Sequence, residues 1–88
     1  MTKEQFEKAE KLTMEIGDLK SEIRKAETVR AEIDRGKEYS VEVEAYSIRE
    51  DKTYILGVND DCMQTIIGVL LRRYETQLTE LEKEFENL

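Results

Sequence analysis

The sequence predicts an α+β fold that is mostly α. A long helix, a β-hairpin and a second long helix fold back as an antiparallel coiled coil, which assembles as a helical bundle with paired hairpins. Three observations predict this. Apolar residues step alternately by three and four through residues 2–35, and again through 60–88. Between those segments, residues 38–58 switch to an apolar period of two. No proline interrupts the 88 residues, which suit one domain, 1–88.

The first helix is expected over residues 2–35. Its stripe is Ala9, Leu12, Ile16, Leu19, Ile23, Ala26 and Ile33, and Arg30 is the polar residue that breaks it. Glu4 with Lys8 and Glu7 with Lys11 have the i,i+4 spacing of helix-surface ion pairs. Gly36 suits the left-handed position just past a helix end.

The hairpin is expected over residues 38–58, with "REDK" (49–52) as the turn. Pairing Ile48 with Thr53 then sets Tyr46 opposite Ile55 and Glu44 opposite Gly57. One face collects Tyr39, Val41, Val43, Ala45, Tyr54, Leu56 and Val58, and both strands agree on it without a bulge. The other face carries Glu38, Ser40, Glu42 and Glu44, then Tyr46, Ile48 and Ile55 toward the tip. A two-stranded hairpin is marginal alone in water, and both its edges are open. Assembly is the expected remedy.

The second helix is expected over residues 60–88, with Asn59 or Asp60 as N-cap and Asp61 favouring the positive end of the dipole. Its stripe is Ile67, Leu71, Tyr74, Leu78, Leu81, Phe85 and Leu88. In its first half, "CMQTIIGVLL", apolar residues point almost all round. One partner helix covers only a stripe. Self-association is therefore expected, as a dimer or higher homo-oligomer, with Met63, Ile66, Val69, Leu70, Tyr46, Ile48 and Ile55 at the interface. Gly68 lies in this segment, either as a point of close helix approach or as a tolerated glycine. Lys3, Lys8 and Lys11 at one helix start complement Glu80, Glu82, Glu84 and Glu86 at the other helix end, which favours antiparallel packing.

Charge and composition narrow the function classes. The net charge is −7, and residues 59–88 hold 7 acidic against 3 basic side chains. Such a chain repels a phosphate backbone, so nucleic acid is a poor partner, mimicry of DNA by acidic helices being the alternative. No apolar run reaches the roughly 18 residues needed to span a bilayer, and no signal-peptide core opens the chain. With one cysteine and no histidine, a cytoplasmic, reducing compartment is expected.

The same counts argue against catalysis. Without histidine there is no Ser–His or Cys–His pair. Glycines are scattered rather than gathered into a phosphate loop. Cys62 reads as a small buried hydrophobe. The chain is expected to be non-enzymatic and to need no cofactor or metal. Two alternatives stay open for a small anionic, nucleotide-like ligand. Tyr39, Tyr46 and Tyr54 with Arg49 and Lys52 suit stacking on a ring and holding its charge, against cross-strand packing and turn solvation. Arg30, with Arg35 and Lys37, suits an anion pocket at a subunit junction, against a residue that sets coiled-coil register. Arg72 and Arg73 are expected to pair with acids of a neighbouring helix.

The order long helix, hairpin, long helix resembles a prefoldin subunit over the whole chain, which implies a holdase chaperone. The closing "LRRYETQLTELEKEF" is similar to the "LxxYxxxLxxLxxxF" helices of small helix–hairpin–helix proteins from bacterial phages and prophages. That resemblance implies an accessory or host-defence-countering protein, some of which are oligomeric sponges for nucleotide signals. Neither resemblance carries a site residue over, because neither has a residue-level motif here. The leading expectation is a homo-oligomeric binding module that engages itself and a protein partner or small anionic ligand.

Overall fold

The computed structural model describes residues 2–88. Its elements are α1 (Lys3–Asp34), β1 (Val41–Ser47), β2 (Lys52–Val58) and α2 (Asp60–Glu86). The architecture is the expected helix–hairpin–helix. Among the described residues, no helix is long and apolar enough to cross a membrane.

Local chemistry sets the ends of α1. Thr2 is the N-cap: its Oγ1 accepts from the Gln5 amide at 3.1 Å, and Gln5 Oε1 accepts from the Thr2 amide at 2.9 Å. This reciprocal capping box satisfies two amides that have no partner within the helix. At the other end Gly36 takes φ +86, a left-handed value that glycine reaches without a Cβ clash. The Lys37 amide donates to the Glu32 carbonyl and the Gly36 amide to the Ile33 carbonyl, at 3.0 and 2.9 Å. That is the double bond pattern of a Schellman stop. α2 starts after Asn59, whose side chain makes no capping bond, while Asp60 and Asp61 supply the first-turn charge.

The helices pack antiparallel. Lys8 Nζ lies 3.5 Å from Glu84 Oε1 at one end, and Gln64 Nε2 donates to Asp34 Oδ1 at 2.8 Å at the other. Lys8 thus reaches across to α2 rather than back to Glu4. The pairs along α1 are Lys11 with Glu15 and Lys25 with Glu22, not the expected Glu4–Lys8 and Glu7–Lys11. The i,i+4 spacing permits a pair, and the facing helix decides which acid is nearer.

Between the helices lie the buried residues Leu12, Met63, Ile67 and Leu71. The rest of the α1 stripe is half-buried and Arg30 is exposed. On α2, Cys62 is exposed, contrary to the expected buried thiol. It precedes the core position Met63 and lies seven residues, two turns, before Val69, which is also exposed. Both stand on the side of α2 that α1 does not reach.

The hairpin pairs antiparallel, with Ser47 opposite Lys52, Tyr46 opposite Thr53, Glu44 opposite Ile55 and Val41 opposite Val58. This corrects the expected register by two residues. The loop is Ile48–Asp51 rather than "REDK". In this frame Ser47 opens the turn and its Oγ accepts from the Glu50 amide at 3.3 Å. Asp51 closes it with φ 51, and Asp tolerates that region well. The expected frame would put Ile48 and Lys52 in those places, and neither suits them. A slip of two keeps every side chain on its predicted face. Ile48 moves from strand to tip and Lys52 from turn to strand, and residues 38–40 precede β1 instead of belonging to it.

The molecule is thin and open. Its Cα extents are 50 × 39 × 15 Å. The longest matches α1 alone, about 48 Å at 1.5 Å per residue, so the hairpin leans out sideways. The radius of gyration is 17.0 Å, against about 12 Å for a compact chain of this length.

Candidate interaction surface

The hairpin is anchored only at its root. The Tyr39 hydroxyl donates to Glu32 Oε2, and Lys37 Nζ lies 3.7 Å from the same oxygen. These contacts fold the segment after Gly36 back along α1. Tyr39, Ser40 and Val41 then line a shallow groove of about 300 Å³ with Ala26, Leu70 and Tyr74. The Tyr39 bond is the main cause that holds the Glu32 carboxyl below its ordinary range, with Lys37 adding to it. The same bond holds the Tyr39 phenol above its ordinary value.

Beyond the root, the strands leave the helices. Val41 and Val58 are half-buried, and every strand residue between them and the tip is exposed except Ser47. One face carries Val43, Tyr54 and Leu56; the other carries Tyr46 and Ile55. Ile55 is 65% exposed and Ile48, at the tip, 87%. Lys52 Nζ sits 5.2 Å from the centre of the Tyr54 ring, two residues on along the same face. The Tyr46 hydroxyl donates to Asp51 Oδ1 across the turn, which raises the Tyr46 phenol.

The expected ligand set is not gathered within one chain. Tyr46 and Tyr54 project from opposite faces, since Tyr46 pairs with Thr53 and Tyr54 with Ala45. Arg49 is in the tip loop. Tyr39 is bonded at the root. Arg30 lies on α1, beside Gln64, Thr65, Gly68 and Arg72, in a groove of about 540 Å³. Among the described residues, neither Arg30, Arg72 nor Arg73 makes an ion pair within the chain. In the same region Gln64 Oε1 is buried without a hydrogen-bond partner.

The expected interface residues divide. Met63 is buried in the chain's own core and Ile66 is half-buried. Val69, Leu70, Tyr46, Ile48 and Ile55 are exposed. Residues outside the predicted set are exposed too: Val43 and Leu56 on the hairpin, and Phe6 and Met14 at the far end of α1, near Phe85. Their signal was in the sequence. Phe6 and Met14 fall off the α1 stripe, and Val43 and Leu56 belong to the continuous apolar face of the hairpin.

The solvent-accessible surface is 7357 Å², where a compact monomer of this mass has about 5,400 Å². The exposed large apolar side chains lie on the hairpin, on the α2 edge at Val69 and Leu70, and at Phe6, Met14 and Phe85. Comparison of the chain with known protein families, with curated proteins and with solved structures finds no match.

Proposed function

We propose that the chain works as a non-enzymatic, homo-oligomeric interaction module. The helix pair is a rigid arm. The hairpin is the adhesive element through which copies join. One observation supports this most: a two-stranded sheet, exposed on both faces, that its own helices touch only at the root. Such a hairpin is marginal in isolation, and large exposed apolar patches are a mark of interaction surfaces. We place the module in the cytoplasm, where the exposed Cys62 thiol remains reduced. Native mass spectrometry of gently purified protein, with light scattering at micromolar concentration, tests the reading. The expected result is a defined oligomer, and a clean monomer at that concentration overturns it.

A second reading is favoured by a separate observation. Arg30 and Arg72, from different helices, line one groove without ion pairs in the chain. Two guanidiniums on a net-acidic protein suit a phosphate or carboxylate, held bidentately. In this reading the module binds a small anionic, nucleotide-like ligand. A ligand at a hundred times its Kd stabilises the fold by about 2.7 kcal/mol. Thermal shift against a nucleotide panel should show this for the parent and lose it in Arg30→Ala. A flat response across the panel rejects the ligand.

A further inference from the structure

We infer that the adhesive edge of the hairpin is β2, which pairs antiparallel with β2 of a second copy to make a four-stranded sheet in the order β1–β2–β2–β1. This rests on the homo-oligomeric reading and deepens it by naming the strand and its register.

With only two strands, β1 and β2 each keep one free edge. The two edges differ in charge. β1 carries Glu42 and Glu44 on one face, so joining β1 to its copy gathers four carboxylates along the seam. Like charges facing each other across strands are destabilising. β2 has no charged residue and no proline from Thr53 to Val58. Charges are a usual protection of an edge strand, and here β1 carries them along its length while β2 has only Lys52, at its tip end. Its Ile55 and Leu56 are 65% and 55% exposed.

Symmetry narrows the register. A two-fold axis perpendicular to the sheet keeps each face on its own side, so a residue of one copy must oppose one of the same parity. Centring on Ile55, the middle of β2, meets this condition. Ile55 then opposes Ile55 of the second copy, Tyr54 opposes Leu56, and Thr53 opposes Gly57. The face of Val43, Ala45, Tyr54 and Leu56 runs unbroken across four strands. Lys52 and its copy stand at opposite ends of the seam. The two helix pairs also lie at opposite ends, so neither blocks the other. The exposed Ile48 tip of each copy reaches the level of the other copy's hairpin root.

The surface that the chain as a whole leaves open is of the order an interface needs. The chain exposes about 2,000 Å² more than a compact monomer of its mass, and a stable interface takes about 800 Å² from each partner.

The test uses single cysteines in a Cys62→Ser background, with a short bis-maleimide linker. Ile55→Cys places the thiol on β2. Glu44→Cys, directly opposite it in the hairpin, places one on β1. The expected result is a covalent dimer for Ile55→Cys and little for Glu44→Cys, while native mass spectrometry shows the parent and both variants assembled. Cross-linking through Glu44→Cys instead, or through neither while the protein is still oligomeric, overturns the β2 edge but leaves self-association standing. A monomeric parent overturns both. As a second readout, Ile55→Lys should weaken the dimer at least tenfold with helical circular dichroism unchanged, whereas Glu44→Lys should not. Equal dimer affinity for Ile55→Lys and the parent also overturns the proposal.

Discussion

The Tyr39 hydroxyl donates to the Glu32 carboxylate seven residues earlier and so fastens the root of the hairpin to the last turns of α1. The sign of its pH dependence follows. The Glu32 carboxyl is lowered in the folded state, so its contribution is present above about pH 4.5 and lost as pH falls through the lowered value. The Tyr39 phenol is raised, so its contribution is present below about pH 10 and lost as pH rises through the raised value. Tyr39→Phe should therefore lower the melting temperature between those limits and converge with the parent at both extremes. Thermal melts across pH check this, and a constant difference at every pH would show that the bond contributes nothing.

The core is thin enough for single truncations to matter. Leu12 and Ile67 are among the four buried apolar side chains. Leu12→Ala or Ile67→Ala should cost about 2–4 kcal/mol, a large part of the about 5–15 kcal/mol that holds a typical domain. Phe6→Ala and Met14→Ala, at exposed positions, should change stability by no more than about 0.5 kcal/mol. Urea unfolding at one fixed protein concentration compares them. Equal effects at both sets of sites would contradict the packing.

Two glycines should respond in opposite ways. Gly36 has φ +86, and an alanine there should cost about 1–2 kcal/mol. Gly68 is in mid-helix, and an added Cβ would meet nothing within 4 Å in the chain. Gly68→Ala should stabilise the helix by up to about 1 kcal/mol when measured at low concentration. If the same variant weakens assembly at high concentration, Gly68 is a point of close approach between copies. If it does not, the glycine is merely tolerated.

The hairpin register depends on Asp51. Its φ of 51 is left-handed, and β-branched residues avoid that region. Both Asp51→Val and Asp51→Gly lose the acceptor for Tyr46, and Asp51→Val should be the less stable of the two by about 1–2 kcal/mol, because only valine resists the left-handed φ. The amide spectrum of strands β1 and β2 reports whether the Ser47–Lys52 pairing survives. An unperturbed hairpin in Asp51→Val would place the register determinant elsewhere.

Much was legible in the chain because much of this fold is local. The alternation of threes and fours on α1 and α2 and the left-handed stop at Gly36 are each decided within a few residues, and the helices follow. The period of two assigned the hairpin faces correctly for the same reason. Its register was missed by two because a slip of two leaves the apolar pattern unchanged. Only turn chemistry at Ser47 and Asp51 separates the two frames.

What the sequence determined by itself was therefore the element order, the helix ends and the face on which each side chain stands. Those depend on backbone propensity and short-range hydrogen bonds. Tertiary structure decided which of the stacked apolar residues on α2 are covered. Met63, Ile67 and Leu71 face α1, while Cys62 and Val69 lie where one helix does not reach. It also decided that Arg30 and Arg72 share a groove although the tyrosines do not gather. Periodicity places a residue on a side of its own element, but only the packing angle between elements says what lies opposite.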